Sequence, residues 1–100
     1  MPLYKIGVRG DLPPGRGRVV DAGARTLALF NVEGEFHAID NDCRHRMGPL
    51  GEGDLDGALV TCPWHGWQYD VTSGRCRTEP SESVGCYRVV VEGDDLLVEI

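Results

Sequence analysis

Two short runs constrain this chain more than anything else in it. They are Cys43-Arg44-His45 and Cys62-Pro63-Trp64-His65, separated by sixteen residues. Each offers one thiol and one imidazole. Two Cys with two His admit two main readings. One is structural zinc, which takes such a set in a tetrahedron. The other is a [2Fe–2S] cluster with both Cys on one iron and both His on the other. Zinc modules usually pair Cys with Cys and His with His. Here each run is mixed, and two mixed loops can clamp a two-metal cluster from both sides, each giving one ligand to each iron. The chain has 100 residues, one domain's worth. So small a domain buries a modest fraction of its surface, and a metal centre tying two loops together would staple it.

The rest of the chain narrows the context. Net charge is −6, and nine of the ten basic residues are Arg, Lys5 being the exception. That balance argues against non-specific nucleic-acid binding and against anionic membrane surfaces. No apolar run approaches the ~20 residues needed to span a bilayer. Met1-Pro2-Leu3-Tyr4-Lys5 lacks the apolar core of a signal peptide. The expectation is a cytoplasmic protein, where Cys interleaved with His more often means metal than disulfide.

Strand signals recur at short intervals. Tyr4–Val8, Arg18–Asp21, Thr26–Val32 and Glu35–Ile39 are strand candidates. They are broken by Asp11-Leu12-Pro13-Pro14-Gly15, by Gly23 and by a Glu33-Gly34 hairpin turn. From Asn41 to Thr61 the texture changes: Gly48, Gly51, Gly53 and Gly57 with Pro49 make loop backbone that must bend closely around something. Ala58–Thr61 and Trp67–Val71 are short strands, with Gly74 in the turn that follows. Tyr87, Val89 and Val91 share one face; Leu96, Val98 and Ile100 share a face on the return strand. No segment sustains a helical period over ten residues. An all-β domain of roughly eight to ten strands follows, closed as a small sandwich or barrel.

Cys43-Arg44-His45-Arg46-Met47-Gly48-Pro49-Leu50 and Cys62-Pro63-Trp64-His65-Gly66-Trp67-Gln68-Tyr69-Asp70 resemble the two cluster loops of the Rieske family. The Asp11–Gly15 turn, the Glu33-Gly34 hairpin and the Val91–Val98 ending extend the resemblance to stand-alone Rieske-type ferredoxins, covering nearly the whole chain. The resemblance implies an all-β Rieske fold, residues 1–100 as one domain, of stacked antiparallel sheets. A small cluster-binding subdomain at about 41–71 would carry one [2Fe–2S] cluster on Cys43, His45, Cys62 and His65. Two ferric ions, two sulfides and two thiolates sum to zero charge, so His ligation makes such a centre easier to reduce than an all-Cys dianion. The class spans about −150 to +300 mV, against about −400 mV for plant-type clusters. High-potential members carry a disulfide whose positions here are Gly48 and Trp64, and a sulfide-binding Ser whose position is Trp67. Tyr69 sits where the family's Tyr donates to a cysteine sulfur. Fewer donors to sulfur favour the oxidised state, so the expected potential is low in that range.

The implied role is a one-electron carrier, not an enzyme, passing electrons from a flavin reductase to a terminal aromatic-ring oxygenase. Three His in total leave too few for the oxygenase's own mononuclear iron site. The nearest rival is the Rieske-like small subunit of an NADH-dependent nitrite reductase. A structural zinc interaction module and a redox-sensing module are the readings from other classes. Cys76 and Cys86 read as small buried residues on strands, a mutual disulfide being disfavoured in a cytosol. His37 reads as outward-facing beside an inward Phe36 and Ala38. Trp64 and Trp67 either shield the cluster or anchor a docking surface. Arg44 and Arg46 are either solvated or guides for an acidic partner. Glu52, Asp54 and Asp56 read as a solvated loop face, and Gly15-Arg16-Gly17-Arg18 lacks the context of a dinucleotide fingerprint.

Overall fold

The described residues form nine strands: β1 (Leu3–Val8), β2 (Gly17–Ala22), β3 (Arg25–Val32), β4 (Glu35–Asp40), β5 (Asp54–Asp56), β6 (Leu59–Thr61), β7 (Gln68–Asp70), β8 (Cys86–Glu92) and β9 (Asp95–Glu99). The computed structural model describes residues 2–45, 47–64 and 66–100. A six-stranded sheet runs in the order β1-β9-β8-β4-β3-β2, and a three-stranded sheet in the order β5-β6-β7. All named pairings are antiparallel. Among the described residues the only helical segments are single 3₁₀ turns at Arg9–Asp11 and Leu50–Glu52. The all-β expectation therefore holds.

β3 explains the architecture. Leu27 and Leu29 enter a core with Ile6, Val20, Ala38, Leu96 and Val98. Ala28 and Phe30 point the other way, into a core with Ile39, Leu50, Val60, Tyr69 and Val71. Successive strand residues face opposite sides, so a strand covered on both faces reads as an unbroken apolar run. That is why Thr26–Val32 lacks alternation. The second core also contains Cys43 and Cys62, so the six-stranded sheet provides the floor on which the metal-donor loops rest. Fully burying a side chain such as Phe30 contributes about 1.5–3 kcal/mol.

The Glu33-Gly34 turn joins β3 to β4 with positive φ at both residues, 53° and 96°, as a type I′ turn requires. Buried Asn31 braces it: its side chain accepts from Gly34 N–H at 2.8 Å and donates to the Leu12 carbonyl at 2.8 Å. One polar side chain thus ties the proline loop to the hairpin. No periodicity pointed to it.

Three expectations change. Asp54–Asp56 is a strand, not a loop face. It pairs with β6, and Leu55, opposite Val60, packs on the second core. Three residues, two of them Asp, are too short and too polar to show a period. Cys86 is exposed, at the margin of the core, with its thiol 3.5 Å from the Thr72 carbonyl. Val91 is also exposed, beyond the reach of the core that Tyr87 and Val89 flank. Which end of a hairpin is covered depends on what lies across it. Cys76 is buried as expected, and Cys76 and Cys86 are both free thiols. His37 is half-buried, alternating with buried Ala38.

Candidate metal centre

The two donor loops share one backbone plan. In the first, the Cys43 N–H donates to the Gly48 carbonyl at 3.0 Å and the Met47 N–H to the Cys43 carbonyl at 2.7 Å. In the second, the Cys62 N–H donates to the Trp67 carbonyl at 2.7 Å and the Gly66 N–H to the Cys62 carbonyl at 3.0 Å. The offsets from each cysteine are the same. So is the left-handed residue that closes each turn, Met47 at φ 59° and Gly66 at φ 78°. Glycine takes that conformation without steric cost; methionine does not. Satisfying their own backbone groups lets both loops hold shape without strand neighbours. Asn41, 7 % exposed, clamps the first loop at both ends. Its side chain accepts from Gly51 N–H at 2.9 Å and its carbonyl from Leu50 N–H at 2.8 Å. No sequence signal marks Asn41 beyond its place beside the glycine-rich loop.

Three contacts bring the loops together. First, Tyr69 is fully buried, and its hydroxyl lies 3.4 Å from Cys43 Sγ. The same oxygen accepts the Arg44 N–H at 2.9 Å. Toward a Cys43 thiolate, which carries no proton, the hydroxyl would be the donor. Burial first, and the Cys43 contact second, hold this phenol well above the usual tyrosine range. The expected Tyr69–sulfur contact is therefore present. Second, the His45 imidazole stacks on the Trp67 indole with centroids 4.7 Å apart and planes 23° from parallel. Third, a Cβ on Gly48 would stand 2.6 Å from Cys62 Sγ and 3.2 Å from Trp64 Cβ. Positions 48 and 64 do face each other across the loops, and the absence of a side chain at Gly48 lets the first loop's backbone pack directly against the Cys62 sulfur.

Cys43 and Cys62 are 1 % and 2 % exposed, while His45 lies at the surface. Of the four residues expected to hold metal, His65 lies outside the described residues, as does Arg46. Among the described residues no three metal-donor side chains form a closed set. The two tryptophans divide: Trp67 packs on the core beside the cysteines, and Trp64 is 58 % exposed. Met47, on the first loop, is 66 % exposed. Arg44 pairs with Glu82 at 3.3 Å, linking the first loop to the connection after β7. At such exposure the pair adds little stability. Two sequestered sulfurs, a hydroxyl within hydrogen-bond distance of one of them and a glycine backbone packed close against the other fit an iron–sulfur group.

Known proteins agree. The chain is 37% identical over 91 residues to the biphenyl dioxygenase ferredoxin subunit of Pseudomonas sp. (strain KKS102), covering 89% of this chain and 84% of that one. It is 33% identical over 91 residues to the ferredoxin component of the naphthalene 1,2-dioxygenase system of Pseudomonas aeruginosa, covering 90% and 88%. A solved chain from a complex of reduced oxygenase and oxidized ferredoxin in carbazole 1,9a-dioxygenase superposes with TM-score 0.88 at 33% identity, over 96% of this chain and 91% of that one. A chain assigned as the small subunit of an NADH-dependent nitrite reductase from Mycobacterium tuberculosis shares the fold, with TM-score 0.89 at 24% identity over 97% and 93%. The Rieske [2Fe-2S] domain profile matches residues 3–88. With its paired Cys–His loops, its buried sulfurs and its double-faced β-sheet, this chain belongs to the Rieske [2Fe–2S] domain family.

Proposed function

We propose that this chain is a one-electron carrier that receives electrons from a flavin-dependent reductase and delivers them to a terminal aromatic-ring oxygenase, without catalysing a reaction itself. Cys43, His45, Cys62 and His65 hold the cluster. When bound, the cluster supplies a centre that accepts and releases one electron. The chain's residues do the rest. The cores seal the two sulfurs, Tyr69 presents its hydroxyl to Cys43, and His45 at the surface offers a route outward. Residues 1–100 act as one Rieske domain, with the cluster-binding subdomain at about 41–71. Two free thiols, Cys76 and Cys86, suit the reducing cytoplasm.

The observation that carries this reading is the apolar tip outside the buried cysteines. Met47 keeps a long, exposed side chain in a left-handed conformation where glycine would be less strained. Residues held in costly backbone conformations cluster at functional positions. Met47 and Trp64 give a partner an adaptable and an aromatic anchor beside the donor loops. The nitrite reductase reading rests on the fold alone.

The test is reconstitution. The purified protein should carry two irons and two sulfides per chain and accept one electron from a flavin reductase. It should then be reoxidised by a terminal oxygenase with its substrate, with a potential in the lower part of the family range. Met47→Ala with Trp64→Ala should slow both transfers while leaving the potential unchanged. Tight co-elution with a nitrite reductase large subunit, and no turnover with any oxygenase, would select the rival.

A further inference from the structure

We infer that Trp67 is a positioning residue that sets the plane of the His45 imidazole and locks the two donor loops to each other, an inference that rests on His45 being a cluster ligand as proposed above. The indole is a fixed plate. Its own carbonyl accepts the Cys62 N–H at 2.7 Å, and the next residue, Gln68, begins β7 with its N–H held by Thr78 Oγ1 at 2.9 Å. The ring packs against the core that contains both cysteines. His45 is different. It lies at the surface, on a loop closed beneath it by the Met47-to-Cys43 hydrogen bond. The plate belongs to the second loop and the imidazole to the first, so the 4.7 Å stack crosses between them.

An exposed imidazole turns about two side-chain torsions, and a metal ligand must present one nitrogen in one plane. Neighbours that orient a ligating His ordinarily do so through the ring nitrogen that faces away from the metal. Here a face-on ring adds a second restraint, one that acts on the ring face rather than through a nitrogen. A stacked pair of this kind biases orientation roughly two- to twelvefold. Residues that lock a ligand before the group arrives define preorganisation. Trp67 therefore occupies a position where a hydroxyl is expected in high-potential relatives, yet it acts on an imidazole rather than on a sulfide.

The experiment compares Trp67→Leu with Trp67→Phe in the cluster-loaded protein. Iron and sulfide content, the reduction potential and pulsed paramagnetic resonance of the reduced state are all read. Trp67→Leu should broaden the distribution of one of the two histidine-nitrogen couplings and shift the potential. Trp67→Phe, which keeps a ring in place, should restore a narrow coupling. Should Trp67→Leu fail to load, loading of Trp67→Phe with the native spectrum supports the inference just as well. Loss of the cluster in both variants alike would overturn it, because bulk rather than stacking would then be what matters. Unchanged couplings in loaded Trp67→Leu would overturn it too. A native protein with no nitrogen couplings at all would instead remove His45 as a ligand, which separates that failure from this one.

Discussion

Replacing Tyr69 by Phe removes one oxygen from a side chain with no exposed surface. That oxygen has two roles, which separate by magnitude. It accepts the Arg44 N–H at 2.9 Å, and losing an ordinary hydrogen bond costs about 0.5–1.5 kcal/mol. For a domain of this size the melting temperature falls roughly 4–8 °C per kcal/mol. It also lies 3.4 Å from Cys43 Sγ, and toward a cluster-bound thiolate, which can only accept, it would present its proton. A hydrogen bond to a charged acceptor is worth about 1.5–3 kcal/mol. The sulfur gains only part of the added electron's charge, so about a third of that energy, ~0.5–1 kcal/mol, separates the two redox states. At 59 mV per tenfold, or per ~1.4 kcal/mol, the shift is about 20–40 mV. The sign follows from charge: the donor favours the more negative, reduced state, so Tyr69→Phe lowers the potential. Voltammetry on native and variant proteins with equal iron content reads the shift. A potential that stays put or rises, with the melting temperature lowered as expected, would refute the assignment of the hydroxyl proton to Cys43.

Gly74 sits at φ 81°, and a Cβ there would collide with the Val84 carbonyl. Gly74→Ala should lose at least about 2 kcal/mol from the left-handed penalty and the clash; a melting point within 2–3 °C of native, on the ~4–8 °C per kcal/mol scale, would contradict this. Burial, then the 2.7 Å hydrogen bond to Asp40, raises the Tyr87 phenol. The folded chain therefore holds this proton longer than the unfolded one. The stability it contributes is complete below pH ~10 and lost as pH rises beyond that value. Melting curves between pH 8 and 11 should show this alkaline decline shrinking in Tyr87→Phe. The Cys86 thiol is raised by burial first and by Asp70 second. Although exposed, it should alkylate more slowly at neutral pH than a free cysteine, and Asp70→Asn should accelerate the labelling seen by mass spectrometry. Cys76, buried, should label only on unfolding.

Much of the site was legible in the chain. Ligand chemistry depends on residue type and short spacing, and Cys43, His45, Cys62 and His65 carry both. Tyr69 was legible because a motif places it seven residues after Cys62. Strand positions were legible where apolar residues ran long enough, as at Thr26–Val32. β5 was not, since its pairing with β6 across a tight turn stabilises it rather than any pattern of its own. Asn31 and Asn41 were not, because each has one side-chain hydrogen bond to backbone ten or more residues away, to Leu12 and Gly51, and such partners leave no local trace.

The amino-acid order alone determined the all-β class and the two mixed Cys–His runs on which the proposed donor set and the proposed low potential rest. These follow from chemistry carried within a few residues. Tertiary structure decided how those residues meet. It gave the two loops one backbone plan and divided the tryptophans into a half-buried plate and an exposed side chain. It also set Trp67 against His45 across the loops and left Cys86 outside the core. Each of these depends on which surfaces come into contact when a strand is covered on both faces, and that contact forms between segments far apart in the chain.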